Sequence, residues 1–186
     1  MALHKAQQIG YPKSVIEKAK TIKLLICDVD GVLSNGKVYY SNQGDELKSF
    51  NIKDGLGIKQ LLQNDIQVAI ITGRRSQIVD HRAKELGIEL IYQGNIDKQT
   101  AYNEIVARLE IKRNQVAHVG DDLPDLPLMI QSGIGFSVAD GHPFVKKHAD
   151  WITNNRGGNG AVREISDLLL SAQDRLKLIH ESYLTQ

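Results

Sequence analysis

Residues 24–31 decide the fold, and they read Leu-Leu-Ile-Cys-Asp-Val-Asp-Gly. Four apolar residues followed directly by acidic residues and a glycine are typical of a buried strand that ends in a polar loop. A strand that is apolar throughout belongs to a sheet with both faces covered, which favours parallel pairing. The sequence therefore predicts that Asp28 and Asp30 lie at the carboxyl end of a central parallel strand.

The chain on either side alternates short apolar runs with stretches of helical period. The further predicted strands are 68–71, 89–92, 116–119 and 134–138, with a weaker one at Trp151 and Ile152. The predicted helices are 14–20, 55–64, 76–86, 98–109, 124–131 and 161–180. This alternation indicates an α/β fold with a doubly wound, mostly parallel sheet.

Residues 36–54 interrupt the alternation directly after the first strand, where a helix is expected. They predict a β-hairpin insertion with strands 38–40 and 47–50 around a turn at Asn42-Gln43-Gly44. An isolated hairpin is only marginally stable in water, and this one is rich in apolar side chains. We expect it to pack either on the domain or on another subunit.

Length and composition describe one ordinary globular domain. The 186 residues are enough for a single domain over 1–186, with 154–186 as a tail and C-terminal helix. A net charge of +1 argues against nucleic-acid binding. A single cysteine, Cys27, fits a reducing compartment. Apolar runs are too short to span a membrane, so the expectation is a cytoplasmic protein without membrane contact.

Polar residues follow the predicted strands, at the edge where a doubly wound sheet binds its ligands. The candidate residues at this edge are Asp28, Asp30, Thr72, Gly73, Lys98, Asp121, Asp122 and Asp125. Several acidic groups that converge on one crevice repel each other unless a cation lies among them. Oxygen ligands of this kind suit Mg²⁺, which we therefore expect as the cofactor.

The pattern of catalytic candidates matches the needs of phosphoryl transfer. Asp28 is the candidate nucleophile that accepts the phosphoryl group. Asp30, two residues later, is the candidate general acid that later activates water. Thr72 offers a hydroxyl and Lys98 an ammonium to the phosphate oxygens, whose charge must be stabilised in the transition state.

The metal candidates are Asp28, Asp30, Asp121 and Asp122. Asp121 would hold the ion together with Asp28, while Asp122 would assist directly or through water. Two interpretations of Asp125 stay open. Its carboxylate either caps the following helix or contacts the metal.

These motifs, in this order, resemble the haloacid-dehalogenase superfamily of phosphotransferases. The resemblance covers residues 23–150 and rests on 28–31, Thr72-Gly73, Lys98 and 120–125. It implies a Rossmann-like domain and a magnesium site to which Asp30 contributes its backbone carbonyl.

A closer resemblance is to a small branch of that superfamily without a cap domain, whose members act on phosphorylated keto-sugar acids. Residues 51–57, 72–74 and 156–164 and the hairpin carry this resemblance. It implies a homotetramer in which hairpins pack together and the tail reaches a neighbouring site. One departure is Ser34-Asn35-Gly36, where the branch has Thr-Asp-Gly; serine keeps the hydroxyl, but Asn35 removes a charge.

The predicted substrate contacts are Ser34, Asp54, Gly73, Arg74 and Arg156. A keto-sugar acid phosphate carries a carboxylate, and arginine binds carboxylates through two parallel hydrogen bonds. The resemblance implies hydrolysis of the phosphate ester of an eight-carbon keto-sugar acid, as a step in lipopolysaccharide precursor synthesis.

Two alternatives stay open at this point. One is a phosphatase for a nine-carbon keto-sugar acid. The other is a receiver-type phospho-switch, which also combines a doubly wound sheet with an aspartate, a threonine and a lysine. In that class the phosphoacceptor and the acidic pair lie on different strands. Here Asp28 and Asp30 follow the same strand and are two residues apart.

Overall fold

The main sheet contains six parallel strands. The computed structural model describes residues 10–185; the predicted domain bounds 1 and 186 lie outside them. The strands of the chain are β1 Leu24–Cys27, β2 Tyr39–Tyr40, β3 Glu46–Leu47, β4 Gln67–Thr72, β5 Leu90–Gln93, β6 Val116–Gly120, β7 Ile134–Ser137 and β8 Trp151–Ile152. The six-stranded sheet has the order β5-β4-β1-β6-β7-β8, while β2 and β3 form a separate antiparallel pair. The predicted doubly wound α/β fold is confirmed.

Helices cover both faces of this sheet. They are α1 Lys13–Ala19, α2 Ile52–Gln63, α3 Gln77–Leu86, α4 Lys98–Arg108, α5 Leu126–Gln131, α6 Pro143–Lys146, α7 Ala161–Ala172 and α8 Leu176–Ser182. Buried residues of α1, α2, α3 and α7 pack in one hydrophobic cluster, and those of α4 and α5 in the other. Over residues 10–185 the structure contains a hairpin insertion and no cap domain, and none of the helices in this range is long and apolar enough to cross a bilayer.

Strand β1 lies where the strand order reverses. It pairs in parallel with β4 on one side and with β6 on the other, so that Cys27 lies opposite both Ile70 and Val119. Because all three strands run in the same direction, their following loops emerge at the same edge. This register brings the segments after Cys27, Ile70 and Val119 together at the crevice where such folds bind ligands.

The alternation of side chains along β1 explains why its sequence is apolar without a break. Leu25 and Cys27 enter the cluster beneath α1, α2 and α7, whereas Leu24 and Ile26 enter the opposite cluster. Successive residues of a strand point to opposite faces, and here both faces are buried. Burial also raises the pKa of the Cys27 thiol, which agrees with a packing role for this side chain.

The hairpin is shorter than the sequence pattern predicts. Its strands contain two residues each, and residues 52–54 belong to helix α2. The prediction that the insertion extends to Asp54 is therefore wrong at its C-terminal end. The physical reason is a helix cap, since the Asn51 side chain accepts a hydrogen bond from the backbone N–H of Lys53, 2.8 Å away.

The predicted single helix over 161–180 is also wrong, because α7 and α8 are separate. Asp174 between them has φ of 58°, a left-handed conformation that interrupts a helix. The Gln173 side chain donates to the carbonyl oxygens of Ala19 and Ile22. These contacts hold the turn against the segment that leads into β1.

Helix α7 is capped by a residue that is more than a hundred positions away in sequence. The carboxylate of Asp54 accepts hydrogen bonds from the backbone N–H of Gly160, 3.1 Å away, and of Arg163, 2.7 Å away. The first N–H groups of a helix have no partner within the helix. Asp54 is buried, so it supplies acceptors that water cannot reach.

We expect Asp54→Ala to lower the free energy of unfolding by about 2 kcal/mol, because two N–H groups lose their buried acceptor. Urea denaturation followed by circular dichroism measures the change. The matched control is Glu104→Ala, an exposed acidic residue of α4, for which a change within about 0.5 kcal/mol is expected. Equal stability of the two variants would contradict the capping role.

Candidate active site

A buried lysine connects two aspartates at the carboxyl edge of the sheet. The ammonium of Lys98 lies 2.5 Å from Oδ1 of Asp28 and 2.7 Å from Oδ1 of Asp125. Lys98 is the first residue of α4, and the Asp97 side chain caps that helix by accepting from the N–H of Gln99. The helix start therefore determines where the ammonium lies relative to β1 and β6.

A third carboxylate completes the cluster. Asp28, Asp121 and Asp125 each have an oxygen within 4.8 Å of those of the other two. The carboxylate of Asp121 lies directly against Gly31, where a Cβ atom would overlap it. Gly31 also has φ of 108°, a conformation that favours glycine. The glycine after Asp30 therefore leaves the space that Asp121 occupies.

Burial and like charge shift the pKa values of this cluster. Burial, then repulsion from Asp125, raises the pKa of Asp28 to about 7 against the opposing effect of Lys98. Burial, then the charges of Asp28 and Asp125, raises the pKa of Asp121 to about 7. Burial alone would raise the pKa of Asp125, but His118 and Lys98 outweigh it and lower the value to about 2. One lysine does not neutralise three carboxylates, so the cluster suits an additional cation.

Asp122, which is predicted to assist the metal directly or through water, lies outside the group of carboxylates formed by Asp28, Asp121 and Asp125. Its side chain is exposed and accepts from the N–H of Leu123 at 2.8 Å. The buried carboxylate in the cluster is that of Asp125, whose Oδ2 accepts from the N–H groups of Asp121 and Asp122 at 3.2 and 3.4 Å. The short 3₁₀ turn at Leu123–Asp125 brings Asp125 back under the end of β6 and leaves Asp122 in solvent.

His118 is a packed core residue beside the acidic cluster. The ring is fully buried in β6, with Nε2 3.4 Å from Oδ1 of Asp125. Burial lowers the pKa of His118, against the opposing effect of Asp125.

Thr72 lies at the end of β4, on the other side of β1. Its side chain is buried, and its hydroxyl oxygen accepts from the N–H of Arg74 at 3.4 Å. Gly73 is exposed between them. The loop after β5 is tied to the same point, because the N–H of Asn95 donates to the carbonyl of Thr72.

Asp30 lies beside this cluster, at the mouth of the site. Oδ1 of Asp30 lies 3.5 Å from the Ser34 hydroxyl and 2.5 Å from the ammonium of Lys48. Nε of Arg74 lies 3.8 Å from Oδ2 of Asp30. Sequence reasoning missed Lys48, because a lysine in a predicted hairpin has no pattern that distinguishes it from a surface charge.

Arg74 extends from the site towards the hairpin. Its guanidinium donates to Glu46, 2.7 Å away, and lies 3.4 Å from the hydroxyl of Tyr40. Asn35 also contacts the hairpin, since its amide donates to the hydroxyl of Tyr39. Asn35, which departs from the Thr-Asp-Gly pattern of the resembled branch, therefore forms a hydrogen bond with the hairpin of its own chain.

The glycine-rich tail segment packs against the loop after β1 in the same chain. The N–H of Gly158 donates to the carbonyl of Val32 at 2.8 Å, and that of Gly157 donates to Asp140. A Cβ on Gly157 would overlap the carbonyl oxygen of Gly31. Arg156, directly before these glycines, is exposed and adjacent to the loop that follows Asp30.

Asp54 does not lie with the other predicted substrate contacts. Both of its oxygens face the start of α7, as described above, and Ser34, Gly73, Arg74 and Arg156 lie on loops around the crevice. The predicted substrate contact at Asp54 therefore disagrees with its buried capping position. Helix α2 begins at Ile52, and this start turns Asp54 towards the interior.

A strand-end aspartate bound to a buried lysine, with a second carboxylate beside it, is an arrangement for phosphoryl transfer on a doubly wound sheet. A family model described as haloacid dehalogenase-like hydrolase matches residues 88–165. The fold and the site together thus define a hydrolase of the haloacid dehalogenase type.

The comparisons with individual proteins are more specific. A 3-deoxy-D-manno-octulosonate 8-phosphate phosphatase of Yersinia pestis is 53% identical over 88% of this chain and 87% of its own length. The corresponding enzyme of Escherichia coli K12 is 51% identical over 87% of this chain and 86% of its own length. This chain belongs to the family of 3-deoxy-D-manno-octulosonate 8-phosphate phosphatases.

A solved structure extends the similarity to the fold. The 3-deoxy-D-manno-octulosonate 8-phosphate phosphatase of Moraxella catarrhalis, in complex with magnesium, phosphate and KDO, superimposes with a TM-score of 0.89. It is 46% identical and covers 91% of this chain and 97% of its own. A metal and a sugar acid are thus bound by a protein of closely similar fold.

The raised pKa values predict a stability that depends on pH and on metal. Without metal, the folded protein holds protons on Asp28 and Asp121 up to about pH 7, whereas unfolded aspartates lose theirs near pH 4. The folded state therefore binds more protons in this window, and the free energy of unfolding falls as pH rises through it. We expect the melting temperature in EDTA to fall by about 5 °C between pH 5 and 8.

Mg²⁺ should raise the melting temperature more at pH 8 than at pH 5, because it binds the ionised carboxylates. Differential scanning calorimetry with and without Mg²⁺ measures both effects. Asp121→Asn is the matched variant and should weaken both of them. A metal-free melting temperature that does not change between pH 5 and 8 would refute this electrostatic account.

Proposed function

We propose that this protein hydrolyses 3-deoxy-D-manno-octulosonate 8-phosphate to the free sugar acid and phosphate, in lipopolysaccharide precursor synthesis. The observation that carries the proposal is the buried contact of Lys98 with Asp28 beside Asp121. It supplies a nucleophile and a charge for the phosphate in one crevice. Identity of 53% with the Yersinia pestis phosphatase of that name supports the choice of substrate.

The chemistry assigns one step to each residue. A carboxylate oxygen of Asp28 attacks phosphorus and forms an aspartyl phosphate. Asp30 donates a proton to the departing sugar oxygen and then takes a proton from the water that hydrolyses the intermediate. Lys98 and the Thr72 hydroxyl interact with the phosphate oxygens, where negative charge is spread in the transition state.

Mg²⁺ is the cofactor in this proposal. The carboxylates of Asp28 and Asp121, with the backbone carbonyl of Asp30, would hold it, since hard oxygen ligands match its preference. When bound, it neutralises the excess of negative charge in the cluster and polarises a phosphate oxygen. Burial, and then this excess of charge, raises the pKa of Asp121.

Four residues around the crevice are proposed to contact the substrate. Arg74 and Arg156 are exposed cations on two different loops and are suited to the carboxylate of the sugar acid. Gly73 offers a backbone N–H, and Ser34 a hydroxyl beside Asp30.

We further propose a homotetramer in the cytoplasm, assembled through the hairpin. Apolar residues cluster on the exposed surface of the hairpin and the first turns of α2: Val38, Tyr39, Tyr40, Leu47, Ile52 and Leu56. Such a patch on a soluble protein is typical of an interaction site. This patch supports the second of the two expectations for the hairpin, packing against another subunit.

We expect kcat/KM for 3-deoxy-D-manno-octulosonate 8-phosphate to exceed that for a nine-carbon keto-sugar acid phosphate by at least about 10-fold. One misplaced or unpaired group in a binding site changes discrimination by about this factor or more. Phosphate release from a panel of sugar phosphates and p-nitrophenyl phosphate, with Mg²⁺, measures the preference.

The control variants for this panel are two aspartates changed to asparagine. Asp28→Asn should abolish turnover of every substrate, whereas Asp65→Asn should retain it, because Asp65 is exposed and far from the crevice in the turn before β4. Stable phosphorylation without turnover would favour a phospho-switch. Equal rates across the panel would reject the proposed substrate.

Leu47→Asp should convert the tetramer to smaller species, because a charge in an apolar interface loses its hydration. Sedimentation equilibrium measures the mass. Ile130→Asp is the matched control, since Ile130 is similarly exposed but lies on α5, and it should remain tetrameric. A monomeric parent protein would contradict the assembly.

A further inference from the structure

Lys48 follows β3 of the hairpin, and its side chain is shielded from solvent although the residue as a whole is half-buried. Its side chain is only 1% exposed, whereas the hairpin residues around it are largely in solvent. The ammonium lies 2.5 Å from Oδ1 of Asp30 and 3.4 Å from Oε1 of Glu46. A lysine is rarely buried unless it is paired, so this position has a specific electrostatic requirement.

The pairing restricts the orientation of Asp30. Oδ1 is occupied by Lys48, and the cation nearest to Oδ2 among the described residues is Arg74, whose Nε lies 3.8 Å away. Glu46 links the two cations, since it also accepts from the guanidinium of Arg74 at 2.7 Å. The carboxylate of Asp30 is therefore held by a close ion pair at Oδ1, whereas Oδ2 has the longer contact with Arg74.

Backbone contacts also connect the loop that carries Asp30 to the chain after the hairpin. Ser34 forms an isolated β-bridge with Asp30 and a second one with Phe50, two residues after Lys48. The loop that carries Asp30 is thus joined through Ser34 to the segment that follows β3.

From these contacts we infer that Lys48 is a positioning residue for the proton transfer by Asp30, so that the hairpin completes the active site of its own subunit. This inference rests on the proposed function of Asp30 as general acid. Correct placement of a general acid contributes a factor of about 100 to 10,000 to a rate. The contribution is largest when the leaving oxygen is strongly basic. Such an oxygen must be protonated as its bond to phosphorus breaks.

Two aryl phosphates that differ only in the leaving group test this role. Phenyl phosphate requires protonation of its leaving oxygen, whereas p-nitrophenyl phosphate requires much less. We expect Lys48→Met to lower kcat/KM about 100-fold for phenyl phosphate and less than about 10-fold for p-nitrophenyl phosphate. The ratio of the two values does not depend on the fraction of active protein, so partial misfolding does not produce the result.

Two further variants and a double mutant complete the experiment. Lys48→Gln, which is shorter and uncharged, should shift the ratio in the same direction. Lys37→Met, an exposed lysine of the same insertion, should leave it unchanged. In an Asp30→Asn background, Lys48→Met should change kcat/KM by less than about 3-fold for either substrate, because residues that act as a unit are not additive.

An unchanged ratio in Lys48→Met, or an additive double mutant, would overturn the positioning role. The outcome is independent of the proposed sugar substrate, because neither aryl phosphate contains a sugar acid. If the sugar phosphates show no preference but the ratio of kcat/KM for the two aryl phosphates changes in Lys48→Met, only the proposed substrate is rejected. A successful panel with an unchanged ratio would reject only the role of Lys48.

Discussion

The structure depends on a balance of charge at the end of β1. Asp28, Asp121 and Asp125 are close to each other in a crevice with little solvent, and Lys98 is the cation buried among them. Two unit charges 4 Å apart repel by about 4 kcal/mol at the effective dielectric of a protein surface. The cluster is therefore held together by the sheet and helix framework, and the incomplete neutralisation by Lys98 makes it attractive to a divalent cation.

The framework holds the cluster because the backbone segments around it are packed without spare volume. Gly31 leaves room for Asp121, and Gly157 allows the tail to lie against the carbonyl of Gly31. The tail is in turn held by Asp140, whose carboxylate accepts from Gly157, and by Asp54 at the start of α7. A reactive carboxylate that must not move is thus surrounded by rigid backbone, as preorganised catalysis requires.

Much of this site could be predicted from sequence, and the errors have identifiable physical causes. The apolar runs and the polar residues that follow them predicted that Asp28, Thr72, Lys98 and Asp121 lie at the carboxyl edge of the sheet, because parallel strands all end at that edge. The sequence predicted Asp122 as a metal candidate and left the role of Asp125 open, because a linear pattern does not reveal that a 3₁₀ turn buries Asp125 and exposes Asp122. A capping residue such as Asp54 looks like any other polar residue when its partners are distant in sequence.

The sequence by itself determined the class of fold and the chemical identity of the groups proposed to react. Hydrophobic period and the order of charged residues are local properties that a chain carries before it folds. Only the tertiary structure decided the orientation of Asp30, because Lys48 reaches it across a hairpin whose geometry depends on bridges between distant residues. Such long-range contacts arise from packing and from the need to pair buried charges, and no local pattern in the chain encodes them.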